Sequence, residues 1–120
     1  MPHLILEYTA NLHPHADRQA LFHRLHETMM ASGEFLLDEI KSRAICLDDY
    51  FVGAGGDHHA FAHLKIHMLD KRDGAVMARI AQSLLPVLSE AYQTALTSLQ
   101  CQICVEVVPI RSDGYFKVVS

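Results

Sequence analysis

The stretch Met1-Pro2-His3-Leu4-Ile5-Leu6-Glu7 opens the chain and decides how the rest is read. Proline is followed at once by an apolar run, and Pro2–Tyr8 reads as a β-strand. A small penultimate residue favours removal of the initiator Met. Pro2 would then carry a free secondary amine instead of an amide nitrogen. A strand directly behind it would hold that amine in place, and Leu4 and Leu6 share its strand face.

Moving outward, Asn11-Leu12-His13-Pro14 punctuates the chain, and Pro14 suits the first position of a helix, where a missing N–H costs nothing. Leu21, Phe22, Leu25 and Met29 recur on one face of a helix between His15 and Ser32. Gly33 is its expected C-cap. Ile40 to Phe51 alternates and reads as a second strand. Gly53-Ala54-Gly55-Gly56-Asp57 reads as a turn, since no Gly-Lys-Ser/Thr follows to complete a phosphate cradle. Ala60 to Leu69 is the cleanest strand, with Ala60, Ala62, Leu64, Ile66 and Met68 on one face and His63, Lys65 and His67 on the other. A long helix is expected from Asp73 to Leu99, kinked at Pro86. Gln100 to Val108 is another strand, Asp113-Gly114 a turn, and Tyr115–Val119 a short terminal strand.

The order is β-α-β followed by β-α-β. It predicts one α+β domain over residues 1–120, with a four-stranded mixed sheet. Right-handed crossovers within each half put both helices on one face of that sheet. The other face needs cover, and self-association is the simplest source.

Composition narrows the functional classes. The 120 residues are 50% hydrophobic, which excludes a disordered chain and suggests apolar surface buried between subunits. Ten Lys and Arg stand against fourteen Asp and Glu, for a net charge of −4. That balance argues against nucleic acid but permits a small anionic substrate in a local cationic pocket. No apolar run approaches the roughly 20 residues that span a membrane. Cys101-x-x-Cys104 has redox-pair spacing but lies in a strand pattern, so Cys46, Cys101 and Cys104 are read as buried, inert thiols. Their odd number, without a signal peptide, points to a reducing cytoplasm.

Pro2-His3-x-x-x-Glu7, Ile40-x-Ser42-Arg43, Ala60-Phe61-x-His63 with Leu64-Lys65-Ile66, and Phe116-Lys117 occur in an order and spacing that resemble the 5-carboxymethyl-2-hydroxymuconate Δ-isomerase family of the tautomerase superfamily. The resemblance covers nearly the whole chain. It implies a tautomerase-like fold and a homotrimer. The implied reaction is a cofactor-independent and metal-free isomerisation of a dienol carboxylate in homoprotocatechuate breakdown. It implies Pro2 as the general base, if Met1 is removed; with Met1 retained, Pro2 is an amide and no base. Burial and neighbouring cations would bring the amine's pKa toward neutrality, where a general base works best. Arg43 matches the family's second-strand arginine as a carboxylate anchor. Where the family has another arginine two positions earlier, this chain has Lys41, which keeps the charge but loses the bidentate fork. Arg72 is the nearest match to an arginine that enters the second helix, where N–H groups also favour an anion.

Two other readings compete. A phenylpyruvate-type tautomerase would need fewer cationic anchors, which suits Lys41. The nine histidines suggest a metal-binding protein. On a strand, however, His63 and His67 lie about 13 Å apart, too far to share one ion. A mixed site using His58 or His59 would be needed. A trimeric binding module that kept the fold without catalysis is a third possibility.

Overall fold

Strict alternation makes the first strand. Leu4, Leu6 and Tyr8 are buried, while His3, Ile5 and Glu7 stand on the opposite side. In the computed structural model, which describes residues 1–120, this strand is β1 (His3–Thr9). A 3-10 turn over Ala10–His15 leads to α1 (Arg18–Ala31). Pro14 therefore lies in the turn and does not open the helix. The cap is Asp17, whose carboxylate accepts the Gln19 N–H at 3.0 Å. At the far end, Gly33 takes the positive φ of 78° that ends the helix, and its N–H reaches the Met30 carbonyl.

The second strand, β2 (Lys41–Leu47), is shorter than the alternating stretch Ile40–Phe51. It pairs in parallel with β1 from His3↔Lys41 to Thr9↔Leu47, and it stops where β1 stops offering a partner. The third, β3 (His59–Leu69), pairs antiparallel to β1. The predicted helix from Asp73 to Leu99 is two helices, α2 (Gly74–Ala91) and α3 (Gln93–Ser98). Pro86 is carried inside α2, and the break falls at Tyr92, which leaves helical geometry with φ −105° and ψ 22°. Finally β4 (Gln100–Ile110) pairs in parallel with β3. It is an edge strand, so Pro109 removes no interior ladder bond.

The sheet order is β2-β1-β3-β4; it is mixed, and parallel within each half as the doubled β-α-β pattern predicts. The core lies on the helix side. Leu4, Leu6, Leu64 and Ile66 from the sheet meet Leu25 and Met29 of α1 and Leu84 and Leu88 of α2, all fully buried. His26 of α1 also reaches Ser42 of β2, Nε2 to Oγ, at 2.7 Å. The other face carries no helix. There Glu7 pairs with Lys65 at 3.2 Å and His63 with Glu106 at 2.9 Å, among apolar side chains such as Ile5 and Ile45.

Two further expectations are corrected. Tyr115–Val119 is not a strand: a short turn at Ser112–Gly114 carries the chain off the end of β4, and no ladder continues. The cysteines are not all buried either. Cys46 and Cys104 are exposed, because one lies on the edge strand β2 and the other on the uncovered face. Cys101 packs against the core, and burial pushes its thiol pKa up. Three residues apart on one strand, Cys101 and Cys104 leave opposite faces of the sheet.

Leu64 is fully enclosed, so Leu64→Ala should cost about 2–5 kcal/mol of unfolding free energy in denaturant titration. Tyr92 is equally buried, and no protein group lies within hydrogen-bonding distance of its hydroxyl. Burial raises that phenol's pKa to about 12. Tyr92→Phe should accordingly leave stability within about 1 kcal/mol of the parent or raise it. A loss as large as that of Leu64→Ala would contradict this.

His3, His26 and His67 all have pKa values lowered below the ordinary 6.5, in each case chiefly by burial. The unfolded chain therefore binds more protons than the folded one as pH falls through 6.5, and folding stability falls with it. Melting temperature should rise from about pH 5 to about pH 7.5. Substituting His26 with Asn should flatten part of that rise.

Candidate active site

The site begins where the chain is first held. Pro2 is buried, and its carbonyl accepts the Lys41 N–H at 3.2 Å, so pairing with β2 reaches the second residue. Leu4 and Leu6 lie on the same side and are completely enclosed. The amino-terminal nitrogen on Met1 is consequently fixed beside the sheet.

Four charged side chains from four segments surround that nitrogen. Glu39 comes from the short turn Leu37–Glu39, and its carboxylate lies 3.7 Å from the nitrogen. Lys41 opens β2, and its Nζ donates to the Glu39 carbonyl at 2.8 Å. Arg72 comes from the loop between β3 and α2. Its Nε donates to the Glu34 carboxylate at 3.2 Å and its Nη2 to the Glu34 carbonyl at 3.0 Å. The guanidinium also covers the Phe35 ring, 4.4 Å from its centroid, so Arg72 is a held side chain rather than a solvated one. Lys117 arrives from the C-terminal tail, with Nζ 2.7 Å from the Met1 sulfur.

Electrostatics at the nitrogen follow from this arrangement. Its pKa falls below the ordinary 8.0, first because burial disfavours the ammonium. Glu39 opposes that shift, and Arg72, Lys41 and Lys117 reinforce it. The result is a partly buried amine with three cations and one carboxylate around it. Such a group can take up a proton near neutral pH, and such a cationic setting suits carboxylates.

Of the residues the sequence singles out, Pro2, Lys41 and Arg72 come together here. Arg43 does not join them. It projects from the uncovered face, where its Nη1 stands 3.2 Å from Nδ1 of His3. With Ile5, His67, Ile110 and Tyr115, these two line a surface cavity of about 300 Å³. Glu39, Glu34, Phe35 and Lys117 escaped the sequence reading. Only Lys117 had a signal there, as part of the Phe116-Lys117 match; the others become visible only once loops distant in sequence converge. The histidines that suggested a metal site do not converge, and no three His, Cys, Asp or Glu side chains gather in a metal-holding group.

Comparison with known proteins identifies the family. The chain matches the model of the family described as 5-carboxymethyl-2-hydroxymuconate isomerase over residues 2–119. A 66-residue stretch is 33% identical to the 5-carboxymethyl-2-hydroxymuconate Delta-isomerase of Escherichia coli; it covers 55% of this chain and 52% of that protein, so the match spans about half the length of the curated relative. A crystal structure of a 5-carboxymethyl-2-hydroxymuconate isomerase from Deinococcus radiodurans R1 superposes with a TM-score of 0.91 at 25% identity, covering 99% of this chain and 90% of that one. In fold alone, a fused 4-OT protein described as a symmetric trimer is similar at a TM-score of 0.63 and 17% identity, over 94% of this chain and 91% of its own. With nearly every residue inside the family match, the chain belongs to the 5-carboxymethyl-2-hydroxymuconate isomerase family.

Proposed function

We propose that this protein is a cofactor-independent isomerase that moves a proton along a conjugated dienol carboxylate, with the amine of Pro2 as general base. 5-Carboxymethyl-2-hydroxymuconate, in homoprotocatechuate breakdown, is the substrate the family name favours. The observation that carries the reading is the setting of the amino terminus, where burial and three cations hold an amine below its ordinary pKa. Removal of Met1 would leave the Pro2 nitrogen, one residue further along the same buried end of the chain, as the terminal amine. Family membership supports the same chemistry.

The neutral amine takes the proton of the enol hydroxyl. The oxygen electrons move through the conjugated chain, and the proton is returned from the ammonium to the carbon at its far end. Bonds to hydrogen are exchanged and no electrons leave the substrate, so the reaction requires no redox group. A positioned base contributes about 10²–10⁴-fold. Arg72 and Lys41 hold substrate carboxylates. The Nη1 group of Arg72 makes no hydrogen bond within the chain and is free to donate to one of them.

Arg43 anchors substrate through the uncovered sheet face, and a homotrimer that closes this face between subunits is the assembly we infer. The apolar side chains on that face and the symmetric trimer of the fused 4-OT protein support it. No helix is long and apolar enough to cross a membrane, and we place the protein in the cytoplasm.

Intact mass measurement on the purified protein should give the chain without Met1. With that material and 5-carboxymethyl-2-hydroxymuconate, loss of the dienol absorbance should slow by at least about 100-fold in Pro2→Ala. Equal rates would remove the proline base. Arg43→Ala should raise KM for the tricarboxylate more than for phenylpyruvate enol; an equal rise for both would remove its anchoring role.

A further inference from the structure

The C-terminal segment Tyr115–Ser120 forms neither helix nor strand, yet it is tied to the first residue of β1 and to Met1 ahead of it. Tyr115 Oη lies 2.8 Å from His3 Nε2, and Lys117 Nζ lies 2.7 Å from the Met1 sulfur. The first tie has a defined direction. The Arg43 guanidinium facing Nδ1 of His3 can only donate, so Nδ1 accepts. In the neutral ring Nε2 then carries the hydrogen and donates it to the Tyr115 hydroxyl. Burial, followed by Arg43, keeps the ring on its neutral side. Tyr115 is thereby seated on β1, and Lys117 follows two residues later.

Lys117 stands out among the three cations because its partner is poor. Lys41 is engaged by the Glu39 carbonyl, and Arg72 by Glu34. No carboxylate lies within ion-pair distance of Lys117, and its contact is a thioether, a weak acceptor. That thioether belongs to Met1, so removal of Met1 leaves the ammonium at the amino-terminal end of the chain without this acceptor. An ammonium carries three donors and suits a carboxylate as a point charge.

We infer that Lys117 is a substrate-binding residue that takes the second carboxylate of a polyanionic ligand, with Tyr115, held by His3, as the positioning residue of the tail. The inference rests on the isomerase reading of the amino-terminal site and adds to it a determinant of charge specificity. Nothing in the chemistry needs Lys117 for a monocarboxylate.

Calorimetric binding of two unreactive probes to the full Met1-free chain tests this. One probe is trans,trans-muconate, a six-carbon dienedioate with a carboxylate at each end; the other is sorbate, the same trans,trans diene with a methyl group in place of one carboxylate. Lys117→Met should weaken muconate about tenfold and sorbate by less than about twofold. Lys117→Arg should hold muconate within about threefold of the parent, because the charge is kept. Tyr115→Phe should weaken muconate alone, by about threefold, as the tail loses its seat. Absence of muconate binding by the parent, an equal loss for both probes, or no loss in Lys117→Met would overturn the inference. The two readings fail separately. A parent that binds muconate through Lys117 but converts no dienol sinks the isomerase proposal alone. A parent that converts the dienol, with muconate binding indifferent to Lys117, sinks this inference alone.

Discussion

The structure depends on β1 being pinned from its first residues. It is an interior strand, parallel to β2 on one side and antiparallel to β3 on the other. Leu4 and Leu6 anchor it with completely buried side chains, and the Pro2 carbonyl already accepts a hydrogen bond from β2. Chain ends ordinarily fray, because few contacts offset the entropy of ordering them. Here the strand that would have to detach is part of the core. Each fully buried Leu contributes about 1.5–3 kcal/mol, so the end stays fixed as long as the sheet does. A fixed end makes the amino-terminal nitrogen usable as a chemical group.

Placement alone would leave that nitrogen a poor base, because an ordinary terminal amine is mostly protonated near neutral pH. The surrounding loops adjust it. Burial penalises the ammonium most; Arg72, Lys41 and Lys117 add to that, and Glu39 works the other way. The same cations that depress the amine are also of the right sign to attract carboxylates, which is why the proposed base and anchors fall in one arrangement. Arg72 is stiffened for this role by Glu34 and by stacking on Phe35. The Lys41 ammonium lacks the planar fork of an arginine, so in the proposed reading more of the oriented carboxylate recognition falls to Arg72.

The strands and their pairing were legible because alternation and doubled β-α-β order are local signals with one economical solution. Ala60, Ala62, Leu64, Ile66 and Met68 are all fully buried, as their spacing predicts. The interruptions were harder to read. Pro14 and Pro86 looked decisive, yet Pro14 sits in a turn and Pro86 is carried within α2, while the break falls at Tyr92. That break places a fully buried ring, which is a tertiary matter. In the site, Pro2 could be named from its position, and Lys41 and Arg72 through the family resemblance. Glu39, Glu34 and Phe35 could not, since no spacing rule links them to the amino terminus. Arg43 was legible as a rigid strand cation, but its face was not anticipated: it stands with His3 on the uncovered side, and its service to a site depends on how subunits meet.

The account turns on the acidity of one amine. With proline labelled by ¹⁵N in the Met1-free protein, the Pro2 nitrogen can be titrated directly by NMR and compared with the same amine in an unfolded Pro2-His3-Leu4 peptide. The account predicts a lower pKa in the folded protein, coincident with the acidic limb of the kcat/KM profile. A Pro2 amine that titrates as in the peptide, or apart from that limb, would contradict it.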